Sequence, residues 1–241
     1  MGRAYEVRKA SMAKTAAAKT KVYSRYGKEI YMAAKQGIPD PEMNTSLKRI
    51  IDEARSKQVP ADVIQRAIDK AKGGSEDNYH ASSFEGFGPG DSTFIVECLT
   101  DNDNRTVSEV RNCFTKSNGK MGVSGSVVHS YEHVGVLSFE YDNEEEILEA
   151  LVLNDVELND IELEDGFMTV TVDPSHLHKA KDSIEEAIGE QKFDVLEISY
   201  IPFEYVSLED DQIKDFQKLM SMLDEVEDVQ NVYHNVAGDL E

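Results

Sequence analysis

Two glycine-rich segments contain the residue types that phosphate binding or nucleophilic catalysis would need. Gly86, Gly88 and Gly90 have the spacing of a phosphate-binding loop, but no Lys-Ser or Lys-Thr follows them. The loop joins two strand-like runs, so a turn that needs glycine geometry is predicted instead. Ser124 lies in Gly-Val-Ser-Gly-Ser, which resembles a hydrolase nucleophile elbow with its second glycine misplaced. No strand-to-helix turn surrounds Ser124, and we therefore predict no catalytic nucleophile.

Two close histidine pairs are the best metal-binding arrangement in the sequence. His176 and His178 fall on the first turn of a predicted helix, where positions i and i+2 point apart. His129 and His133 would share one face of a strand but lie roughly 13 Å apart. No cluster of carboxylates or cysteines completes either pair. The sequence therefore predicts no metal, no cofactor and no small-molecule substrate, and a protein that is not an enzyme.

The two cysteines are too few for a disulfide framework. Cys98 lies in an apolar strand-like run, and Cys113 lies beside Phe114 on a predicted helix. Both are predicted to be buried thiols with a packing role, which suits a reducing compartment.

Charge is distributed very unevenly along the chain. Residues 1–72 carry 16 Lys/Arg against 8 Asp/Glu, a net charge of +8. Residues 73–241 carry 9 Lys/Arg against 39 Asp/Glu, a net charge of −30. Such asymmetry predicts a basic end that faces a polyanion, either DNA or the RNA of a ribosome. The acidic remainder would be repelled by that polyanion and is predicted to orient the protein or to contact a protein partner.

The predicted nucleic-acid contacts are basic side chains near the N-terminus. A helix dense in Lys and Arg can lie along phosphates and gain affinity by releasing counterions. Tyr5, Tyr23, Tyr26 and Tyr31 add rings for stacking on unpaired bases, although one or two must belong to the core. The alternative is a soluble helix that pairs with the acidic remainder of the chain. The predicted contacts are Arg3, Arg8, Lys9, Lys14, Lys19, Lys21, Arg25 and Lys28.

A second polar cluster spans residues 100–106 and has two interpretations. In the first, Asp103 or Asn104 caps the following helix, and an Arg105–Asp101 ion pair holds the loop. In the second, Asp101, Asn104 and Arg105 form a secondary contact with phosphate or with a partner protein. The sequence does not choose between these interpretations. It contains no helix-turn-helix or zinc-finger spacing, so base-specific recognition is not indicated.

Helical periodicity predicts three helices in residues 1–75, which together form a basic helical domain. The first covers residues 1–36 and ends at Gly37. The second begins at Asp40-Pro41 with a cap and a proline, and Met43 is among its inward residues. The third begins at Pro60.

Mixed patterning follows, and residues 134–201 show the order βαββαβ of a ferredoxin-like unit. Strands are also predicted at residues 79–85, 93–100 and 127–131, and a capping box at Ser207 and Asp210 begins a late helix. We predict that residues 76–133 and 202–241 form one discontinuous α+β domain into which 134–201 is inserted. The fold class is α and α+β, with three domains.

No apolar run approaches the roughly 20 residues of a membrane span. The basic N-terminus lacks the apolar stretch of a secretory signal. Its scarcity of acids is also typical of a mitochondrial transit peptide, but the helical pattern continues into predicted folded structure. A cytoplasmic location is therefore predicted.

Several ordered motifs resemble those of the YebC family, and the resemblance covers essentially the whole chain. In the basic segment they are Lys35-Gln36-Gly37, Asp40-Pro41 and residues 67–71. In the remainder they are Phe84 to Gly90, Thr100 to Thr106, residues 109–111, Gly119-x-x-Gly122-x-x-Gly125-Ser126-Val127, and Asp228 to Asn235.

The resemblance implies a three-domain, cytoplasmic regulator without enzymatic activity. Bacterial members are described as probable transcriptional regulatory proteins that bind DNA. Relatives, including mitochondrial translational activators of cytochrome oxidase, act on the ribosome and ease synthesis of difficult stretches such as consecutive prolines. Many members open with Gly-His-Ser-Lys-Trp, whereas this chain reads Gly2 to Glu6 as Gly-Arg-Ala-Tyr-Glu and has no Trp. Contacts made by that opening are therefore not carried over.

Overall fold

The computed structural model describes residues 19–73 and 79–238. Its first three helices pack into a bundle around one apolar core, as the periodicity predicted; Ile30, Leu47 and Ala54 are fully buried there. The prediction of helix over residues 1–18 lies outside the described residues. The helices are α1 (Lys19–Gln36), α2 (Thr45–Ser56) and α3 (Ala61–Lys72).

The predicted start of the second helix at Asp40-Pro41 is wrong. α2 is capped by Asn44, whose side chain accepts a hydrogen bond from the Leu47 amide at 3.0 Å. The Asn44 amide also donates to the carbonyl of Ala33 at 2.9 Å, which ties the cap to the end of α1. Met43 therefore precedes the helix and is 68 % exposed, although it was predicted to face inward.

A four-stranded antiparallel sheet follows, with two helices packed against it. The strands are β1 (His80–Phe87), β2 (Thr93–Thr100), β3 (Lys120–Met121) and β8 (Val229–His234), in the order β3-β1-β2-β8. The helices are α4 (Asp103–Lys116) and α7 (Asp210–Glu225). Phe94, Phe114 and Phe216 meet at the centre of this core, with ring centroids 5.7 and 5.8 Å from that of Phe94.

A second antiparallel sheet lies between β3 and α7 in the chain. Its strands are β4 (Tyr131–Glu140), β5 (Leu158–Glu164), β6 (Phe167–Val172) and β7 (Phe193–Pro202), in the order β5-β6-β4-β7. Its helices are α5 (Glu144–Leu153) and α6 (Leu177–Ile188). This is the predicted βαββαβ order and the strand arrangement of a ferredoxin-like unit.

The first sheet has the same arrangement in permuted form. If β1 is moved from the start of the unit to a position before α7, the order of elements becomes βαββαβ as well. The chain leaves this unit after β3 and returns at α7. The fold class is therefore α and α+β, with a helical bundle and two ferredoxin-like units. The domain limits predicted above remain a proposal, which the pairing of β8 with β2 supports.

Two local predictions in the first sheet region are wrong. Residues 127–131 do not form a separate strand, because Val128–Ser130 is a single 3₁₀ turn and β4 begins at Tyr131. The late capping box lies two residues beyond the predicted position and uses Glu209 and Gln212. Gln212 completes the reciprocal pair with the longer side chain that a capping box prefers.

Cys98 and Cys113 are both buried free thiols, as predicted. Burial raises the pKa of the Cys98 thiol to about 12, so this sulfur stays protonated and unreactive at neutral pH. Within residues 19–73 and 79–238, no helix is long and apolar enough to cross a membrane.

Two glycines with different surroundings test this packing. Gly27 lies within α1, and a Cβ there would be 3.9 Å from Val63 Cγ1, an ordinary contact. Gly27→Ala is therefore expected to raise the free energy of unfolding by about 0.5–1 kcal/mol. At Gly86 a Cβ would lie 2.5 Å from two atoms of the buried Phe114 ring. Gly86→Ala is expected to lower that free energy by about 1–3 kcal/mol. Urea denaturation measures both, and equal changes would contradict the packing.

Candidate nucleic-acid interface

The described part of α1 carries three of the predicted nucleic-acid contacts on one face. Lys21, Arg25 and Lys28 are three or four residues apart, so their side chains point the same way. This face lies against residues 224–228, which end α7 and connect it to β8 and which we call the acidic turn. Lys19 is the first residue of α1. The other predicted contacts lie outside the described residues: Arg3, Arg8, Lys9 and Lys14.

Lys21 and Lys28 both bond to the acidic turn. Lys21 Nζ is 2.7 Å from Asp224 Oδ1, and it also donates to the Asp224 carbonyl. Lys28 Nζ donates to the Glu227 carbonyl at 3.0 Å and to Asp228 Oδ1 at 3.2 Å. Lys28 is only 8 % exposed, so its charge interacts with groups inside the structure and is not presented at the surface.

Arg25 divides its hydrogen bonds between its own helix and β8. Its Nε donates to Glu29 at 3.0 Å, an i,i+4 pair, and its Nη1 lies 3.5 Å from the Gln230 carbonyl. All three cations therefore contribute to the interface between the bundle and the first sheet. This arrangement corresponds to the alternative stated above, in which the helix pairs with the acidic remainder.

Asp228 is the centre of this interface and is 2 % exposed. Its Oδ2 accepts from Arg105 Nη2 at 2.7 Å and Nε at 3.2 Å, from Thr106 Oγ1 at 2.8 Å and from Thr100 Oγ1 at 3.2 Å. Its Oδ1 accepts from Lys28 Nζ. Both oxygens of a buried carboxylate are thus satisfied by donors from two separate parts of the chain, α1 and residues 100–106.

Opposing effects act on the pKa of Asp228. Burial alone would raise it, because a carboxylate loses hydration there. Hydrogen bonds from Arg105, Thr106 and Lys28 outweigh burial and hold the pKa below its ordinary value. Asp228 is therefore ionised at neutral pH and binds the two cations as a charged group.

The polar cluster at residues 100–106 supports this centre. Arg105 Nη2 also binds Asp101 at 2.8 Å, as the first interpretation predicted. The predicted cap at Asp103 or Asn104 is wrong, because the Asn102 side chain accepts from the Arg105 amide at 3.1 Å. Asn104 is exposed on the first turn of α4. The secondary contact of Asp101, Asn104 and Arg105 with an external partner remains a prediction, although Arg105 is already bonded on two sides.

The cleft beside Asp228 has a volume of about 550 Å³ and lies between α4 and the end of α7, with Lys28 of α1 at its edge. Lys28 and Arg105 line it, but their charges are already matched by Asp228. Its other charged walls are carboxylates, among them Glu109 and Glu225. The cleft therefore does not offer a positive surface for a phosphate.

The outer faces of α2 and α3 leave other basic side chains exposed. Residues 45–72, which form α2, α3 and their connection, carry 7 Lys/Arg against 4 Asp/Glu. Arg66 pairs with Asp62 at 2.6 Å on α3, a surface pair that stabilises little. Lys48 and Lys57 are exposed and form no ion pair with any carboxylate among the described residues. The outward side of the bundle is therefore basic.

Two of the four tyrosines considered for stacking are part of the bundle core. Tyr26 is 6 % exposed and Tyr31 is 2 % exposed. Tyr23 is half-buried against the same core, and Tyr5 lies outside the described residues. Burial raises the pKa of Tyr26 to about 12. Tyr26 and Tyr31 are thus unavailable for stacking on bases while the bundle is folded.

Sequence reasoning missed a second buried carboxylate, Glu85 on β1. It accepts backbone hydrogen bonds from Gly125, Val127 and Val128, the last at 2.8 Å. Burial acts to raise its pKa, but these three N–H groups outweigh burial and lower it. Glu85 thereby fixes the glycine-rich loop after β3, whose Val123 is 77 % exposed. Glu85 lies in a motif quoted above for the family resemblance, but nothing local to it indicates a partner forty residues away.

The glycine loop considered for phosphate binding and the histidines considered for metal binding have partners within the fold. The Gly88 amide donates to the Ser92 carbonyl at 2.8 Å and Gly90 has φ +63°, which confirms the predicted glycine turn. His176 Nδ1 accepts from the Glu157 amide at 2.9 Å, and His133 stacks on Tyr200. Among the described residues, no group of three His, Cys, Asp or Glu side chains is arranged to hold a metal ion.

Replacing Asp228 by asparagine tests the buried centre. The neutral amide would leave Lys28 and Arg105 without their carboxylate, so the free energy of unfolding at pH 7 is expected to fall by about 3 kcal/mol. Asp224→Asn breaks only the exposed Lys21 pair and serves as control, with an expected loss below about 1 kcal/mol. Urea denaturation of both variants measures the two losses. Equal losses would contradict the central position of Asp228.

The contribution of Asp228 to the free energy of unfolding is expected to depend on pH. The pKa of Asp228 is lower in the folded state than the ordinary value of about 3.9, so its stabilisation is present above that value. It is lost as the pH falls through the folded pKa. The difference in unfolding free energy between the unaltered protein and Asp228→Asn is therefore expected to shrink below about pH 4. Urea denaturation from pH 7 to pH 3 measures it, and a constant difference would oppose this explanation.

Glu85→Gln tests the loop anchor. A glutamine side chain has one acceptor oxygen, so at least one of the three backbone N–H groups loses its partner. Hydrogen exchange of the amides at Gly125, Val127 and Val128 is expected to become at least tenfold faster, while Phe94 and Val96 amides in β2 keep their rates. Unchanged exchange in the loop would show that Glu85 does not hold it.

Two family profiles match the chain in succession. The TACO1/YebC protein N-terminal domain matches residues 3–74, and the TACO1/YebC second and third domain matches residues 79–236. A probable transcriptional regulatory protein of Vibrio campbellii is 51 % identical over 235 residues, covering 98 % of this chain and 99 % of that protein. Another, from Idiomarina loihiensis, is 49 % identical over 235 residues with the same coverage.

A solved structure has the same architecture. The crystal structure of a conserved hypothetical protein from Aquifex aeolicus aligns with a TM-score of 0.75 and 31 % sequence identity, covering 93 % of each chain. Profiles, relatives and structure all extend over nearly the full length. The chain therefore belongs to the TACO1/YebC family.

Proposed function

We propose that this protein is a transcriptional regulatory protein that binds DNA through its basic N-terminal helical domain. The relatives described as probable transcriptional regulatory proteins support the regulatory part of this proposal. The observation that carries the DNA contact is the charge of residues 1–72, which is +8 beside a remainder of −30. The net charge of that part attracts a polyanion, whereas the net charge of the remainder repels one.

The rigidity of the bundle supports a phosphate contact. Its core holds α1, α2 and α3 together, so the basic side chains on its surface keep fixed spacings. Lys48 and Lys57 belong to this surface. A pre-ordered basic surface loses less conformational entropy on binding than a flexible tail does.

The eight predicted contacts fall into two groups. Lys21, Arg25 and Lys28 are bonded to the acidic turn, so DNA reaches them only if α1 leaves Asp224 and Asp228. Arg3, Arg8, Lys9, Lys14 and Lys19 precede these residues in the chain. We propose that this second group is the first to engage DNA.

Binding of this kind reads phosphates and not base sequence. Phosphate contacts fix position on the duplex without carrying sequence information. The strength of binding is therefore expected to depend strongly on salt and weakly on the DNA sequence. Regulation of particular genes would then require a partner, for which the acidic surface of the two ferredoxin-like units offers a contact.

A charge-reversal series tests the DNA contact. One variant, which we call the four-fold variant, combines the substitutions Arg3→Glu, Arg8→Glu, Lys9→Glu and Lys14→Glu. It removes four phosphate contacts at once. Each contact contributes about 0.9 to the slope of log K against log salt, so the slope is expected to become shallower by about 3–4. Lys179→Glu, Lys192→Glu on the inserted unit is the control and should leave the slope unchanged. Fluorescence anisotropy with a random-sequence duplex between about 50 and 200 mM salt measures both.

The same proteins distinguish DNA from a ribosomal target. Sedimentation of ribosomes across the salt series shows whether the alternative applies, in which the protein relieves stalling at proline-rich sequences. Duplex binding that the four-fold variant loses supports the DNA proposal. Absence of duplex binding, together with ribosome binding that the variant loses, would replace it with the translational role. Absence of both would overturn nucleic-acid binding by this domain.

A further inference from the structure

Four lysines of the acidic part of the chain lie on three neighbouring elements, α4, β3 and α7. Lys116 ends α4, Lys120 begins β3, and Lys214 and Lys218 lie one turn apart on α7. Lys218 Nζ donates to the Lys116 carbonyl, which joins the two elements across a long separation in sequence. We call these four residues the lysine patch. They are four of only nine Lys/Arg among 169 residues that also carry 39 Asp/Glu.

The lysine patch is exposed and its charges are not neutralised. All four side chains are exposed, and none forms an ion pair with a carboxylate in the described ranges 19–73 and 79–238. Asp215, the acidic residue between Lys214 and Lys218, accepts a hydrogen bond from Asn118 Nδ2 at 2.6 Å. Lys21 and Lys28, by contrast, are paired with Asp224 and Asp228.

The helix dipole accounts for only half of the lysine patch. Cations near the C-terminus of α4 favour its dipole, which explains Lys116 and the bond from Lys218. Lys120 lies on a strand, where no such effect exists. Lys214 is the fifth residue of α7, in the half of a helix where a positive charge is not favoured. The dipole therefore does not explain Lys120 or Lys214, although Asp210, one turn before Lys214, favours a positive charge there.

The surface beneath the lysine patch is rigid. Lys120 Nζ lies 5.4 Å from the centroid of the Phe87 ring. A Cβ at Gly122 would meet the same ring at 3.2 Å, so the loop after β3 packs closely against it. Glu85 holds that loop through three backbone hydrogen bonds. The lysines thus project from fixed backbone.

The lysine patch is near the docked basic helix. Lys218 precedes Asp224 by six residues on α7, which corresponds to about 9 Å along the helix axis. Asp224 is the partner of Lys21 on α1. The lysine patch and the docked part of α1 therefore both lie along α7, with the charge of Lys21 already paired with Asp224.

We propose that the lysine patch is a second phosphate-contact site, which binds the backbone of the same nucleic acid that the basic bundle engages. The proposal rests on the proposed function and adds a surface on the first ferredoxin-like unit. Contact at two separated places would orient the protein on the strand and keep the acidic surfaces turned away from it.

A patch variant that combines Lys120→Gln and Lys214→Gln tests the site, because neither lysine side chain forms a hydrogen bond to the backbone. Removal of two phosphate contacts is expected to make the slope of log K against log salt shallower by about 2, and to weaken binding roughly tenfold per lysine near 0.1 M salt. Lys120→Arg, Lys214→Arg should restore binding. Lys179→Gln, Lys192→Gln on the inserted unit is the charge-matched control, and thermal unfolding detects any effect of losing the Lys179 bond to the Asp155 carbonyl. The probes are a random-sequence DNA duplex and a single-stranded RNA of equal length.

The outcomes separate this site from the proposed function. A patch variant that binds both probes like the control overturns the site, whereas loss of binding in the four-fold N-terminal variant leaves the function standing. An unaltered protein that binds neither probe overturns both. Thermal unfolding of each variant should match that of the unaltered protein, and a loss of binding that the arginine variant does not restore also counts against the site.

Discussion

One buried carboxylate determines how the basic and acidic parts of the chain are joined. Asp228 receives hydrogen bonds from α1, from the residues that begin α4 and from the end of β2. A carboxylate removed from water without such partners would be strongly unfavourable, so these segments must converge for the native state to form. Asp228, which follows Lys28 by 200 residues in the chain, thus fixes the position of α1 on the first sheet.

This constraint gives the basic side chains of the N-terminal segment two different uses. Lys28 is enclosed and acts as a counter-ion for Asp228, whereas Lys48 and Lys57 remain in solvent. Charge counted along a sequence does not distinguish these two uses. The acidic turn at Asp224 presents to α1 the same kind of partner that a phosphate would present. Attraction between oppositely charged surfaces also assists docking of the bundle, and salt weakens it.

Much of the fold follows from short-range patterns. The bounds of β2 agree with the strand predicted at residues 93–100 from its apolar run, and the turn at Asp165-Gly166 has both residues at positive φ, as a tight hairpin requires. Helix periodicity identified the core faces of α1 and α3. These features depend on neighbours within a few residues, which a sequence displays directly.

The errors lie where a distant residue decides the local structure. Asp40 and Asn44 are both suitable caps, and the bond from Asn44 to Ala33 on another helix selects the second. Residues near Val127 have strand-like composition, but their N–H groups donate hydrogen bonds to Glu85 and not to a neighbouring strand. The importance of Asp228 depends entirely on tertiary contacts. Candidate contacts chosen by charge alone therefore included Lys28, whose burial no local pattern reveals.

The insertion of one ferredoxin-like unit into the other has a consequence for folding during synthesis. The two connections meet, since the Phe203 amide donates to the Ser130 carbonyl at 3.0 Å, so the inserted unit closes on itself once β7 has emerged. The first sheet cannot do the same. Its central strand β2 pairs with β8, where Cys98 lies opposite Val229, and that partner follows the inserted unit in the chain. β2 therefore keeps one unpaired edge until the inserted unit and β8 have been synthesised, a period in which it is open to association with other strands.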